Sequence, residues 1–389
     1  MNAKTLTRTL PVGITAVALV AGLGACSSTS STKTATGGQA ASSSTAAASQ
    51  TTAAGSPQAS AQSAAPSSQD SGSLPTVTLM VGGIDKQIYL PYQLAQGLGY
   101  YQKYGVNVKL STEQNGGVGA EDAVASGQVN MAGAWYVHAI DFQAHGKDVV
   151  DVVQLSAAPG EREMCATGSN VKSAADWKGK AVGVTDLGSG TDDLTLYMGS
   201  KAGLTSKDFT RVGVGAGSTF IAALQHHKIV CGMTSQPTVA EVEKMGLGYS
   251  AIDLASGAGA KQALGGTYPS ACVLAQASWV ASHKDTVQKV VDALVATMHY
   301  ISTHSAADIA AHLPPQFVAN GTVTKDQYIQ ALDQDKGQFL PDGMMPADGP
   351  ATVLAIQHAA KLDTGALDLN KTYTNDFAIA ANKLEGYTS

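Results

Sequence analysis

Ala123-Val124-Ala125-Ser126-Gly127-Gln128-Val129-Asn130 reads as the end of a helix, a glycine turn and the start of a strand. Further along, Ala223-Leu224-Gln225-His226-His227-Lys228-Ile229-Val230 has the same shape. A glycine-rich turn precedes each helix, Asn115-Gly116-Gly117 in the first case and Gly215-Ala216-Gly217 in the second. Two similar α/β units with glycine loops at matching strand ends are the plan of a two-lobed ligand clamp. All α/β units share this periodicity, so chance similarity stays open and the flanking sequence has to decide.

Outward from the first unit, residues 76–81 (Thr-Val-Thr-Leu-Met-Val) form a strand-like run closed by Gly82-Gly83. Residues 89–98 read as a helix with Pro91 in its first turn. A strand at 106–110, a helix at 119–126, a buried strand at 129–133, a helix at 137–145 and a buried strand at 149–155 follow. Strands alternating with helices at this spacing indicate a parallel α/β lobe. The alternation resumes with strands at 181–184, 209–214, 229–233 and 249–254 and helices at 190–202, 218–226 and 238–245. Residues 270–274 form an apolar strand expected to return to the first lobe, and helices are expected at 285–302, 324–339, 351–361 and 375–384.

The formal net charge of -6 offers no basic face to neutralise phosphate, which argues against a nucleic-acid role. Residues 27–73 are almost entirely Ser, Thr, Ala, Gly and Gln, a composition too apolar-poor to offset its ordering entropy, and read as a flexible linker. Ahead of it, Lys4 and Arg8 precede an apolar run at 14–22 that is too short to span a bilayer. No later apolar run reaches membrane-spanning length. The nine His residues show no metal-ligand spacing, and no Ser/His/Asp or Cys/His motif has its expected context, so no catalytic residue, metal or cofactor is expected.

Leu23-Gly24-Ala25-Cys26 resembles a bacterial lipobox. The resemblance implies a signal peptide over 1–25, lipidation of Cys26 and an anchor on the outer face of the cell membrane, with an ordinary secretory signal and a chance Cys as the alternative. The rest of the chain resembles the type II periplasmic binding proteins, within them the nitrate/sulfonate/taurine and thiamine-pyrimidine-precursor group of ABC importers. Five stretches carry the likeness: Gly99-Tyr100-Tyr101-Gln102-Lys103-Tyr104-Gly105-Val106-Asn107-Val108; Gly127-Gln128-Val129-Asn130 with Gly133; Asp176-Trp177-Lys178-Gly179-Lys180; Gly188-Ser189-Gly190-Thr191 with Ala202-Gly203-Leu204; and Asp368-Leu369-Asn370-Lys371-Thr372-Tyr373. The chain departs from the group at Asn130 and Val230, where Asp is usual, at His227, where Gly is usual, and at Ser235-Gln236-Pro237, where Trp-Asp/Glu-Pro is frequent.

The resemblance implies an α/β fold of two lobes joined by a two-crossing hinge, with a ligand cleft between them. The first lobe is expected to comprise 74–163 and 270–389 and the second 164–269, after the linker at 26–73. The hinge is expected near 160–169 and 265–270. Cys165 and Cys272 lie in strands this family runs side by side, which implies a possible disulfide, with two buried thiols as the alternative.

Ligands of open α/β lobes bind beyond the carboxyl ends of the strands. The loops there are 82–89, 115–119, 134–138, 157–162, 186–192, 215–218 and 234–237. From them come the candidate ligand-binding residues Gly83, Ile84, Lys86, Tyr89, Gly117, Trp135, Tyr136, Gly160, Ser189, Gly190, Thr191, Ser218 and Gln236. Gly190-Thr191 and Gly217-Ser218 open helices whose free N–H groups can hold an anion or a carbonyl oxygen; the bland alternative is that they only turn and cap. Lys86 and Arg162 suit an acidic ligand, but Asp85, Glu161, Glu163, Asp186 and Asp192 lie as near, which keeps a neutral or zwitterionic ligand open.

The leading expectation is a monomeric solute receptor that captures a small, organic molecule and passes it to an ABC permease with its ATPase. Two alternatives remain: an enzyme of the same fold, such as a pyrimidine-precursor synthase, and a receptor feeding a sensor. The synthases carry a Cys-rich run that is absent here.

Overall fold

Val77, Leu79 and Val81 alternate with more exposed residues, so strand β1 (Thr76–Val81) buries one row of side chains fully. The computed structural model describes residues 73–113, 118–319, 323–362, 364–365 and 367–387. The expected signal peptide, Cys26 with its lipid, the linker up to residue 72, and Gly117 lie outside the described residues.

The first sheet contains β1, β2 (Asn107–Thr112), β3 (Met131–Trp135) and β4 (Val149–Gln154), and the second contains β5 (Glu161–Ala166), β6 (Ala181–Val184), β7 (Thr210–Gly213), β8 (Cys231–Ser235) and β9 (Gly248–Asp253). A tenth strand, β10 (Ala271–Gln276), returns to the first sheet. The strand orders are β2-β1-β3-β10-β4 and β7-β6-β8-β5-β9. In each, the strand that arrives from the other sheet (β10 or β5) is antiparallel to both neighbours, while the rest pair parallel. Every residue of β3, in the middle of its sheet, and of β4, at the edge of the same sheet, is buried. The internal match of the sequence falls on equivalent places, the turns into β3 and β8.

The chain crosses between sheets at 155–160 and 254–270. β5 begins at Glu161, directly after the first of these segments. The crossings are stitched together: Ser156 Oγ lies 2.8 Å from Ser270 Oγ, Ala271 N–H donates to Ser156 Oγ at 3.0 Å, and Ser270 Oγ–H donates to the Ala158 carbonyl at 2.6 Å. The C-terminal helices, led by Lys284–Thr303, pack on the first sheet, yet Asp335 reaches back to β5 in a bidentate pair with Arg162 at 2.6 and 2.8 Å. No helix among the described residues is long and apolar enough to cross a membrane.

The possible Cys165–Cys272 disulfide is not formed. Cys165 instead bonds to Cys231, its registered neighbour across the antiparallel pair β5–β8, with Cα atoms 3.9 Å apart. Cys272 sits on β10 in the other sheet, registered against Ala134 and Gln154, and is a buried free thiol. With its sulfur already bonded to Cys231, Cys165 has none to offer Cys272. The departure at His227 is accommodated by the same turn, where the residue adopts the left-handed conformation (φ 53°) that glycine enters freely.

Candidate functional site

The loops at the carboxyl ends of β1, β3 and β6 converge where the two sheets face each other. They enclose a tight pocket, with room for little more than a water molecule, lined by Lys86, Tyr89, Glu121, Trp135 and His138 from the first sheet's elements and by Glu161, Thr185, Gly190 and Thr191 from the second's. Other hollows on the described surface, such as one near Gln143, Lys284 and Phe377 and one near Ser173, Lys201 and Gln262, are wider but draw on a single lobe.

Trp135 ends β3 and lies edge-on to Tyr268 of the second crossing, ring centroids 6.2 Å apart. Its other neighbour is Gly190, the first residue of the helix Gly190–Lys201; a Cβ there would come within 2.2 Å of the indole Cε3. Glycine is thus required because the Trp135 ring and the helix start occupy adjoining space. Ser189 caps that helix, its side chain accepting from Asp192 N–H, and Ser189, Thr191 and Thr185 hydroxyls form a closed triangle of hydrogen bonds at 2.8–3.0 Å. Asp192 and Asp193 in the first turn complement the helix dipole.

Charge is concentrated on the first wall. His138 Nε2 donates to Glu121 at 2.9 Å, and its Nδ1 lies 3.4 Å from Asp141. Burial opposes the imidazolium, but Glu121 and Asp141 outweigh it and hold the His138 pKa well above its ordinary value. Burial pushes Glu121 up while His138 pulls it down. Lys86 Nζ donates to the Gly82 carbonyl at 3.0 Å and stands 5.7 Å from the Tyr89 ring centroid. On the second wall, burial raises the Glu161 carboxyl to about 7 despite the opposing pull of Lys86 and Arg162. Two residues on, Glu163 is also raised by burial, with a contribution from Glu161, and neither of its oxygens has a hydrogen-bond donor among the described residues.

Of the candidates named from sequence, Lys86, Tyr89, Trp135, Gly190 and Thr191 line the cavity, with Ser189 directly behind them. Gln236 belongs to the contact between lobes: its carbonyl accepts from Gln87 N–H at 2.9 Å. Gly83 folds over the Lys86 side chain with φ 93°. Ile84 is buried and donates its N–H to Thr112, and Gly160 packs against Ile88 and Gln338 in the first crossing. Tyr136 points into the first lobe, its hydroxyl 2.5 Å from Thr372, and Ser218 faces a separate hollow beside Asp186 and Gly215.

Sequence reasoning did not single out Glu121, His138, Glu161 or Thr185. His138 and Glu161 lay inside loops it had marked, and Thr185 one residue outside one. Glu121, in the first turn of the helix Val118–Ala125, carried no local sign. A buried carboxylate and an imidazole that face each other from different elements, Glu121 and His138, are a pattern that only three dimensions reveal.

Residues 88–307 match the family described as NMT1/THI5 like. A 4-amino-5-hydroxymethyl-2-methylpyrimidine phosphate synthase of Schizosaccharomyces pombe is 30% identical over 129 residues, spanning 33% of this chain and 36% of the synthase. Among solved structures, a protein of Bordetella bronchiseptica RB50 is similar with a TM-score of 0.75 and 27% identity, covering 80% of this chain and 98% of that one. The alkanesulfonate-binding protein of Xanthomonas axonopodis pv. citri, bound to MOPS, is similar with a TM-score of 0.62 and 16% identity, covering 78% and 99%.

Proposed function

The chain belongs to the NMT1/THI5-like family and has the periplasmic-binding-protein fold, and from that premise we propose that it is an extracytoplasmic solute-binding lipoprotein of an ABC importer. In this reading it closes its lobes on a small organic molecule of the sulfonate/nitrate/taurine or pyrimidine-precursor-like class and presents it to a permease driven by an ATPase. Cys26 carries the lipid that holds it, as a monomer, at the outer face of the cell membrane.

The observation that supports this most is the cavity itself, to which both lobes contribute and in which Trp135 of one meets Gly190 of the other. A ligand that touches both walls favours the closed arrangement by its difference in affinity between the two states. The stitched serines at the crossings suit a hinge that bends without separating.

Small molecules released from the purified, denatured chain are identified by mass spectrometry and added back. The reading expects a discrete compound that rebinds unchanged; its conversion to product would instead support the synthase reading that the Schizosaccharomyces pombe match favours. Cys26→Ala tests the anchor: the protein is expected to move from the membrane fraction to the soluble one, and unchanged fractionation overturns the lipid assignment.

A further inference from the structure

One buried polar group of the second lobe is left without any partner, and it lies away from the cleft. Glu163 is fully buried, and neither of its oxygens has a hydrogen-bond donor among the described residues. Two positions further along β5, and so on the same face of the strand, Cys165 is joined to Cys231 of β8. The two sulfurs and a Glu163 carboxylate oxygen all lie within 4.8 Å of one another. A buried carboxyl that no donor satisfies forfeits its hydration without return, so a cation set beside it is strongly favoured.

The donor set suits one class of ion. Thiolate and carboxylate are both ligands of zinc, at about 2.3 Å and about 2.0 Å, and zinc sites with three protein ligands leave a fourth position for water. Cu(I) favours sulfur, and Mg²⁺ and Ca²⁺ favour oxygen, so the mixture selects a borderline divalent ion. A tetrahedral shell with bonds of that length holds its sulfurs about 3.8 Å apart, so the covalent bond between Cys165 and Cys231 is what keeps the site shut. Ile252, registered beside Glu163 on β9, lines the open hollow near Ser173, Lys201 and Gln262, which brings solvent to the neighbouring strand position.

We propose that Glu163, Cys165 and Cys231 form a redox-gated metal site, closed while the disulfide is intact and able to hold one zinc-class divalent ion once it is reduced. An external dithiol gives two electrons and two protons to the Cys165–Cys231 bond and closes to its own disulfide, leaving two thiols. The ion then takes the place of both thiol protons, and of any proton on Glu163, which pass to solvent. In either state β5 and β8 stay tied together, by a covalent bond or by the ion. The proposal stands apart from the receptor reading, because the site draws on the second lobe alone.

The test is an oxygen-free titration of the full chain with Co²⁺ as the optical probe and Zn²⁺ as its competitor, before and after reduction by a phosphine that is then removed. The reduced chain is expected to show thiolate-to-cobalt charge transfer that saturates at one ion per chain and is displaced by Zn²⁺, and the oxidised chain none. The double variant Cys165→Ser with Cys231→Ser keeps Cys26 and Cys272 and is expected to show none either. Glu163→Gln is expected to keep the charge transfer and bind at least about tenfold more weakly. X-ray absorption of the zinc-loaded, reduced parent needs no variant: two sulfur neighbours with oxygen completing the shell are expected, and any other sulfur count overturns the proposal. Zn²⁺ is also expected to raise the Tm of the reduced parent, since it binds only the folded site. A disulfide that the phosphine leaves intact in the folded chain overturns the proposal, as does a reduced chain that binds neither ion or gains no Tm. Equal binding by the oxidised chain or by the double variant places the ion elsewhere and overturns it. Unchanged affinity in Glu163→Gln makes Glu163 a plain buried acid and overturns it too.

Discussion

The two walls of the cavity are built from different chemistry. The first lobe contributes Lys86, Tyr89, Glu121, Trp135 and His138, which are long, charged or aromatic side chains held by a fully buried strand and its neighbours. The second contributes Thr185, Gly190 and Thr191, a compact knot of hydroxyls and a bare helix start, with Glu161 as its one charge. The second lobe is also the one with a covalent cross-link, Cys165–Cys231, whereas the first keeps Cys272 as a free thiol. On the proposed reading, the first wall selects the ligand and the second, stiff and small-featured, shuts against it.

That division breaks most sharply at the point where the walls meet. Gly190→Leu places atoms inside the Trp135 ring, so the lobes cannot close, and ligand binding measured by calorimetry is expected to fall below detection. The fold should survive, because the clash lies between lobes and not within either core. Retained binding in this variant would mean that the lobes do not need to meet at Gly190.

The next effect concerns the joint outside the cavity. Arg162→Met leaves Asp335, buried at 3% exposure, without its bidentate partner. Chemical denaturation is expected to show a loss of about 3 kcal/mol. A loss below about 1 kcal/mol would show that the pair is a surface contact in energetic terms.

Much of this architecture was legible before any coordinates. The alternation of apolar runs and helices located both sheets, the apolar strand after residue 270 returned to the first sheet as expected, and the glycine loops marked the strand ends that meet. Trp135 and Gly190 were legible for a physical reason: an aromatic ring after a buried strand and a glycine at a helix start both lie on strand-end loops, where clefts form. The pairing of charges was not legible. Nothing local connects Glu121 to His138, or Arg162 to Asp335, because these contacts depend on how helices settle across a sheet. The cysteines show the same limit. Cys165 and Cys272 both read as buried strand positions, and only the register of β5 on β8 puts Cys231 opposite Cys165.

The smallest effect is on pH dependence, and it sharpens the contrast between the walls. Burial raises the second wall's Glu161 from its ordinary 4.5 to about 7 in the folded chain. Folded chain therefore holds a proton that unfolded chain has released, and the stability from this group is full below about pH 4.5 and lost as pH rises through about 7. His138 on the first wall, also raised, acts in the same direction: its contribution is full below its ordinary value and lost as pH rises through the folded one. Ligand-free protein is expected to be more stable at about pH 5 than at about pH 8, with on the order of 2 kcal/mol of the difference removed by Glu161→Gln. An unchanged slope in that variant would assign the pH dependence to the other buried groups whose pKa is raised, among them His138 and Glu163.

The central claim is that one ligand is held by both lobes and that they close on it. The most direct measurement is the distance between spin labels at exposed Ser126 on the first lobe and Ser206 on the second, with and without the compound recovered from the protein. The account predicts a broad, longer distribution that shortens and narrows when ligand is added, and no such change in Gly190→Leu. A distribution that stays the same while the parent chain binds its ligand would contradict it.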